Sequence, residues 1–439
     1  MPVLSVLPPD FLEQLTSYVT PTRLLVGCLV LWVSAVRAFR WRRYNAIHRE
    51  YEAKWNNGQG TITPEEAQKI CHVSTMYDMP ELLNNALAFA LFKTYAVPTI
   101  SKLLVQMKQL SSSNTVSRRY ADTEILISTW FTCPISGFHD PQFALKNREM
   151  GDDAQPAEDP RAMIALARTN WLHGHYKISN DDYLYTLCLF ILEPITWARK
   201  YGWRPLSPLE QHSFYTLWAE IGRRMNLQDI PESVEAFQIW GREYEERVMV
   251  PTQSNHDTAV HTLNELLAAA PNAFGIKKFG ERIAICLLDD IVREAMMYPA
   301  SPWIYHVIAN SLMSSVSFIQ RWFMLPRRHP KTHFDTSLGL RFAPGVCPRM
   351  HPKKWTAKPW YKPESTGLGY YRDKLLVSIG FYNEMPGAHL KSDGYRLEEV
   401  GPAAFENSAH EEVMKNAADL LGCPIAGPWS LEARKGAGI

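Results

Sequence analysis

Two histidines, His173 and His175, lie among aromatic and apolar side chains in the stretch ARTNWLHGHY. An imidazole in such surroundings can be a packed core residue, a general base, or a ligand of a metal or haem iron. Gly174 predicts the end of a helix, which puts His173 on the last helical turn. A helix C-terminus favours a charged imidazole, so it opposes metal ligation unless another contact dominates. Taken alone, the pattern is more typical of a structural histidine.

A second polar group lies in the stretch SRRYADTEILISTW. Arg119, Asp122 and Thr123 stand at spacings that bring them to one face of a helix. Leu126 and Trp130 continue that face as an apolar wall. A polar group beside an apolar wall is typical of a helix that lines a pocket. An exposed Arg-Asp ion pair with a threonine alongside explains the spacing equally well, so both interpretations stay open.

Composition excludes several classes of function. The 439 residues are 46% hydrophobic and carry a formal net charge of +1, which argues against nucleic acid as a partner. The seven cysteines include no CxxC pair, which favours a reducing compartment and predicts no zinc site. The motifs of phosphate-binding loops, dinucleotide folds, zincins, serine hydrolases and di-iron bundles are absent. The possibilities that remain are a mononuclear or haem iron site, a metal-free enzyme, and a protein without catalytic activity.

The N-terminal region predicts a membrane anchor. The thirteen residues LLVGCLVLWVSAV between Arg23 and Arg37 carry no charge, and the mostly apolar segment Tyr18–Phe39 reaches the roughly 20 residues that a spanning helix needs. The basic residues that follow this run are typical of a cytosolic flank and comprise Arg37, Arg40, Arg42, Arg43 and Arg49. We therefore expect a signal anchor with the bulk of the chain in the cytosol. The alternative is a buried helix docked on the folded domain.

The periodicity of the remaining chain is helical. Thr63, Pro64 and Glu66 form a helix-start signature with a capping box, and the next helix is predicted over Pro80–Tyr95. Further helices are predicted over Ser117–Trp130, Pro160–Leu172, Asp181–Tyr201, Ser207–Met225, Ser233–Val250, Val260–Ala269, Lys277–Met297 and Pro302–Phe323. Alternating strand patterns are scarce, so residues 64 to about 325 form one mainly α-helical domain.

The composition changes after Leu325, where Pro, Lys, Arg and aromatic residues become frequent. This tract is interpreted as a solvated linker, with a covering loop or a membrane-surface contact as alternatives. A short final unit is predicted to end in a helix capped near Ser408. The predicted organisation is an anchor with its flanks at residues 1–43, a helical domain at 44–325, and a Pro-rich and Lys-rich tract with a short helical unit at 326–439.

Long stretches of the chain resemble one family. They are ALFKTYAVPTISKLL, RRYADTEILI, ARTNWLHGHY, DDYLYTLCLFILEPITWARKYGWRPLSPLE, MNLQDIPESVEAFQIWGREYEERVMVP and GYRLEEVGPAAFE. Together they are similar to the MpaB-type oxygenases, fungal endoplasmic-reticulum-bound enzymes related to the latex-clearing rubber oxygenases. The resemblance runs from about Thr63 to Phe405, with gaps in the Pro-rich tract. It implies a globin-like helical core that holds haem b and uses dioxygen to cleave a carbon-carbon double bond in an isoprenoid chain.

The resemblance also implies roles for individual residues. The R-x-x-x-x-H stretch of the family falls on Arg168 and His173, which makes His173 the expected iron ligand and Arg168 a cofactor-binding residue. His175 has no counterpart there and is expected at the surface or behind the ligand.

The Arg-x-x-Lys-Thr pattern of rubber oxygenases falls on Arg119, Asp122 and Thr123. Lysine ligation is therefore excluded. Arg119 and Thr123 are expected beside the dioxygen, and Asp122 is expected to orient Arg119 or to hold a water molecule.

These observations predict a membrane-anchored, haem-dependent oxygenase of fungal secondary metabolism. Its expected partners are dioxygen, membrane lipid and a hydrophobic small-molecule substrate, namely a prenylated aromatic, a terpenoid or a polyketide. Its expected location is the endoplasmic reticulum membrane, with a single span and a cytosolic catalytic domain. One alternative is another oxidation on the same scaffold, such as epoxidation, hydroxylation or rearrangement. The other is a non-catalytic protein that binds a hydrophobic ligand without haem.

Overall fold

The computed structural model describes residues 20–107, 113–139, 158–268, 275–336 and 348–436. Residues 1–19 of the predicted anchor segment and residues 337–347 of the Pro-rich tract lie outside these ranges. Within them the chain is mainly helical and forms no strand, only isolated bridges between Phe138 and Glu158 and between Met350 and Tyr395. The predicted mainly α class is confirmed, and the likeness to the globins stays a prediction.

The α-helices of the described ranges follow in chain order. They are α1 (Pro21–Arg40), α2 (Arg42–Trp55), α3 (Pro64–His72), α4 (Pro80–Thr94), α5 (Pro98–Gln106), α6 (Ser113–Thr132), α7 (Arg161–His173), α8 (Asn180–Tyr201), α9 (Pro208–Arg224), α10 (Val234–Val248), α11 (Gln253–Leu266), α12 (Ile276–Cys286), α13 (Asp290–Ala295), α14 (Trp303–Trp322), α15 (Leu368–Ser378), α16 (His410–Leu421) and α17 (Leu431–Gly436).

Most of helix α1 is exposed, and its contacts are with α2 and α14. Its 20 residues correspond to about 30 Å at 1.5 Å per residue, the thickness of the bilayer hydrocarbon. Only Val36 and Arg40 are buried, so α1 is not the buried, docked helix of the alternative interpretation. Within the described residues, the continuous helix starting at Pro21 is long and apolar enough to cross a membrane. The pair α4 and α5 passes the same test only jointly, across an 88° bend.

The core is built around α7. Its residues from Ala162 to Ala167 are at most 1% exposed, because α6 packs on one side and α16 on another. A helix buried on every side has no need of a polar face, which explains the short apolar run MIALA. Helix α8 packs along α4, and α9 packs along α3, which begins with the predicted capping box of Thr63 and Glu66.

The C-terminal region packs into the same core. Buried apolar residues from Tyr51 to Trp429 form one cluster, which therefore includes side chains on both sides of the predicted boundary at 325. The predicted division into domains stays a prediction. The prediction of a cap near Ser408 is wrong, because α16 begins at His410 after Ala409 and has no side-chain cap.

Candidate active site

A large cavity lies between α4, α5, α6, α7, α8 and α9. Its volume is about 1630 Å³ when its open mouth is included. Most of its wall is apolar and aromatic, with Leu91, Leu126, Phe190 and Trp218 among the lining residues. Such a cavity suits a hydrophobic ligand, because a few polar groups in an apolar wall fix orientation while the wall supplies affinity.

His173 ends α7 and lines this cavity. Its Nδ1 atom is buried and has no hydrogen-bond partner in the described part of the chain. Burial, and secondarily the charge of Arg119, lower the pKa of His173 to about 4. The helix C-terminus was expected to oppose metal ligation unless another contact dominates, and here burial disfavours the charged form of the imidazole. The ring is neutral at physiological pH and has a lone pair available for a metal.

Arg119 and Thr123 line the same cavity from α6. The structure thus brings these two predicted residues together with His173. The Thr123 hydroxyl donates to the Arg119 carbonyl at 2.7 Å, which is the usual bond of a threonine to the preceding helical turn. Within the described residues the Arg119 guanidinium makes no hydrogen bond, and its charge acts on His173. This cation is consequently available to a polar or anionic group of a ligand.

Asp122 does not join them. It is 1% exposed, and its carboxylate accepts a hydrogen bond from the Tyr361 hydroxyl at 2.6 Å. Its ion pair is with Arg118, at 3.7 Å between Nε and Oδ2, and not with Arg119. Burial raises the pKa of Asp122 to about 6. The expectation that Asp122 orients Arg119 is wrong, because Asp122 points toward the C-terminal region and is not part of the cavity wall.

Arg168 also lies outside the cavity lining. Its guanidinium is fully buried and donates to the carbonyls of Val400, Phe405 and Ser408 at 2.9, 2.7 and 3.1 Å. These contacts hold the C-terminal segment against α7. The expected role in cofactor binding therefore has no support from the position of this side chain, whose donors are occupied by backbone carbonyls.

His175 lies at the surface, as expected. Its ring packs against Trp171 and Phe405, with ring centroids 4.3 and 4.9 Å apart, and its Nδ1 atom is 2.9 Å from the Trp171 carbonyl. It is two residues from His173 and outside the cavity, which makes it a natural control.

Three further cavity residues carry polar groups that the sequence did not single out. The indole N–H groups of Trp130 and Trp218 are buried and lack a partner within the described ranges. Asp182 accepts hydrogen bonds from Thr99 and Tyr244, both at 2.7 Å. Asp182 escaped notice because a carboxylate in the first turn of a helix is an ordinary capping feature, and its N–H indeed donates to Ser179. The tryptophans looked like apolar wall, since burial of an indole N–H is not visible in a sequence.

A second cavity adjoins the first. The two share Ala88, Leu91, Tyr120 and Ile127 as wall residues, and the second has a volume of about 1070 Å³ with its mouth included. Its rim carries lysines from the tract that follows Leu325, namely Lys331, Lys353 and Lys354. The Pro-rich and Lys-rich tract therefore contributes to a cavity wall, which is closer to the covering-loop interpretation than to a solvated linker.

The residues fit a haem better than a metal held by several side chains. In the described part of the chain, no group of three or more His, Cys, Asp or Glu side chains is arranged to hold a metal ion. A haem brings its own four nitrogen ligands and needs from the protein an apolar slot and one axial ligand. The neutral, unpartnered imidazole of His173 at an apolar cavity meets both needs.

Known proteins match this chain in sequence. The family model described as "ER-bound oxygenase mpaB/B'/Rubber oxygenase, catalytic domain" matches residues 165–313. This range contains His173 but not Arg119 or Thr123. The protein named ER-bound oxygenase mpaB' from Penicillium brevicompactum is 27% identical over 417 residues, covering 90% of this chain and 92% of that protein.

Two further relatives are both named ER-bound oxygenase mpaB. The protein from Penicillium roqueforti is 30% identical over 289 residues, which cover 62% of this chain and 89% of the relative. The protein from Penicillium brevicompactum is 29% identical over 252 residues, which cover 54% of this chain and 59% of the relative. The chain therefore belongs to the family of MpaB-type ER-bound oxygenases and rubber oxygenases, and its general activity is that of an oxygenase.

Proposed function

We propose that this chain is a haem b-dependent oxygenase that oxidises a carbon-carbon double bond in the prenyl, isoprenoid or polyketide side chain of a secondary metabolite. The observation that carries the proposal is His173, a neutral and unpartnered imidazole at the wall of a large apolar cavity. His173 would hold the haem, which supplies the redox-active iron through which an oxygenase uses dioxygen.

The chain's own residues then have separate tasks. The apolar walls bind the substrate chain and exclude water from the reacting bond. Arg119 and Thr123, on the α6 wall, supply a cation and a hydroxyl to polar groups inside the cavity. The adjoining second cavity provides space for the remainder of a long chain.

We propose that α1 anchors the protein in the endoplasmic reticulum membrane as a single span, with the catalytic domain in the cytosol. Three relatives carry the words "ER-bound" in their names, and α1 is an exposed apolar helix of suitable length. The basic residues after Val36 favour a cytosolic location for the domain. An anchored enzyme meets a hydrophobic substrate where it concentrates, in the bilayer.

The test is a comparison of two histidine variants, His173→Ala and His175→Ala, in the full chain. We expect His173→Ala to lose the Soret absorption band, or to bind haem weakly unless imidazole is added, because the side chain that would bind the iron is gone. The His175→Ala protein should keep the haem content of the unmodified protein. Haem per folded molecule and melting temperature are measured together.

The two measurements separate ligation from packing. A histidine that only packs would lower the free energy of unfolding by about 1 to 3 kcal/mol on substitution, with haem per folded molecule unchanged. A folded His173→Ala protein with a full and unaltered Soret band would remove this residue from the site and the proposed mechanism with it.

A further inference from the structure

Within the described ranges, a long apolar helix at the surface of the helical domain has a face that no other segment covers. In α14, the eighteen residues from Trp303 to Gln320 include no Asp, Glu, Lys or Arg. The exposed fractions of Trp303, Leu312 and Phe318 are 74%, 55% and 56%. A helix on the surface of a water-soluble domain normally buries its apolar stripe and exposes a polar face. Helix α14 instead leaves most of its apolar side chains exposed.

The orientation of α14 is fixed by polar contacts on its inner side. The Ser317 hydroxyl donates to the Gly202 carbonyl at 2.9 Å, and the Gln320 amide donates to the Asp78 carbonyl at 2.8 Å. Ala309, on the same side, is 2% exposed. Because these residues bind the domain, the apolar side chains are held outward. The exposure of the apolar face is therefore set by the way α14 packs on the domain.

The C-terminal end of α14 contacts the last turns of α1. The Trp32 indole donates to the Phe323 carbonyl at 2.7 Å, and the Arg37 guanidinium lies 4.8 Å from the centre of the Trp322 ring. Trp32 is eight residues before Arg40, or about 12 Å along the helix axis. If α1 spans a bilayer, Phe323 is level with a part of α1 that lies inside it.

Positive charge borders this apolar surface. Arg40, at the end of α1, is buried and donates to the carbonyls of Gln320 and Met324, so it joins the two helices and does not face the headgroups. The exposed arginines at this border are Arg37, Arg42 and Arg328. Arg43 donates to the carbonyls of Arg327 and Arg328 at 2.6 and 3.1 Å. The basic flanks of α1 and α14 thus meet at one place. An apolar surface bordered by arginine is the arrangement that binds a bilayer with anionic headgroups, because acyl chains cover the apolar part and phosphates attract the rim.

We propose that α14 is a second membrane-contacting helix, which lies among the lipid acyl chains beside α1 and fixes the domain against the bilayer. This inference rests on the proposed membrane anchoring by α1. Helix α14 also contacts α8, which lines the main cavity. Contact of α14 with the membrane would therefore hold the cavity close to the bilayer in which a hydrophobic substrate dissolves.

The experiment uses the full chain, reconstituted in vesicles of phosphatidylcholine with some phosphatidylserine. A polarity-sensitive fluorophore is attached at three sites in separate proteins. Native Cys28, exposed on α1, reports on the anchor. Leu312→Cys reports on α14, and Ile239→Cys, an equally exposed apolar position on α10, is the matched control. The last two carry Cys28→Ser, and that background without an added cysteine gives the blank.

Lipids brominated on their acyl chains then quench any fluorophore within the hydrocarbon. We expect blue-shifted emission and loss of fluorescence at Cys28 and at Leu312→Cys, with neither at Ile239→Cys. Quenching at Cys28 with none at Leu312→Cys would overturn the role of α14 while leaving the anchor intact. An unquenched label at both sites would overturn the anchor and the inference together. A Leu312→Cys label that is shielded from aqueous iodide but not quenched by lipid, and that cross-links to a second chain, would assign the surface to self-association instead.

Discussion

Neighbouring residues of α6 serve different parts of the molecule. Thr123 and Arg119 are one helical turn apart and line the cavity. Asp122 lies about 100° around the helix axis from Thr123, and it contacts Tyr361 and Arg118. A spacing of three or four residues defines a broad face, and only packing decides which edge of that face meets the cavity. The polar residues of α6 thus divide into a pair that can contact a ligand and a carboxylate that binds the C-terminal region.

This division predicts different effects on turnover. Arg119→Ala and Thr123→Val should each lower turnover by about tenfold to a hundredfold with haem content unchanged, because each removes one polar contact in the cavity. Asp122→Asn should leave turnover near that of the unmodified protein. Steady-state rates normalised to haem measure the effect. Unchanged turnover in both cavity variants would make α6 a structural wall.

Asp122 should also change how stability depends on pH. Its folded-state pKa of about 6 lies above the ordinary value of 3.8, so the folded protein binds this proton more tightly than the unfolded chain. The stabilising contribution is full below the ordinary pKa and is lost as the pH rises through about 6. Asp122→Asn avoids that loss, so its free energy of unfolding relative to the unmodified protein should rise by about 1 to 3 kcal/mol between about pH 4 and pH 7.

Chemical denaturation of both proteins at each pH measures this difference. Asp181→Asn, at an exposed carboxylate on α8, is the matched control. A constant difference for Asp122→Asn would mean that Asp122 ionises as easily in the folded protein as in the unfolded chain.

At the scale of elements, exposure separates the helices into two groups. Helix α7 is apolar because other helices surround it, and α1 is apolar although almost nothing surrounds it. Exposure of the Leu25, Leu29 and Val30 side chains to water would have a large cost in free energy. A bilayer removes that cost, which is why the exposed apolar helix supports an anchor.

Two aspartates in α1 should prevent stable insertion. Leu29→Asp with Val30→Asp should cost about 2.5 to 3.5 kcal/mol per residue at the centre of a span. We expect this variant to pass from the pellet to the supernatant after a carbonate wash, while Ile239→Asp with Val250→Asp stays in the pellet. If the α14 contact exists, the α1 variant should still sediment with membranes in neutral, low-salt buffer. Resistance of the α1 variant to carbonate would contradict the anchor.

At the scale of the whole molecule, the C-terminal region closes back on the helical domain. Arg168 reaches from the centre of α7 to three carbonyls of residues 400–408, and Arg118 forms an ion pair with Glu406 at 2.9 Å. These contacts pair groups that are more than 200 residues apart in the chain. The packing on the side of α7 that faces away from the cavity thus depends on residues near the C-terminal end of the chain.

Arg168→Met should lower the free energy of unfolding by about 2 to 5 kcal/mol, because it keeps the apolar volume but leaves buried carbonyls without donors. Haem per folded molecule should stay unchanged, since the side chain lies outside the cavity. Arg247→Met removes an exposed ion pair with Asp181 and should cost less than about 1 kcal/mol. Loss of haem from folded Arg168→Met protein would contradict this prediction and indicate that Arg168 contributes to cofactor binding.

Local sequence patterns were sufficient to predict the helical class, the start of α3 at its capping box, the end of α7 at Gly174 and the apolar character of α1. These features depend on contacts within a few residues, so local patterns are sufficient to predict them. The long resemblance also identified the family and directed attention to His173, which does line the cavity.

Which polar residues share the cavity depends on the packing of helices that are distant in the sequence. The pKa of His173 depends on burial by distant helices and on Arg119, which is 54 positions away in the chain. Tyr361, which donates to Asp122, and the carbonyls that accept from Arg168 lie in residues 361–408, so no spacing within α6 or α7 could reveal that both side chains point away from the cavity. The sequence could not predict the exposure of α14 either, because its apolar composition is that of a core helix. Only the positions of the neighbouring helices show that its outer face is exposed.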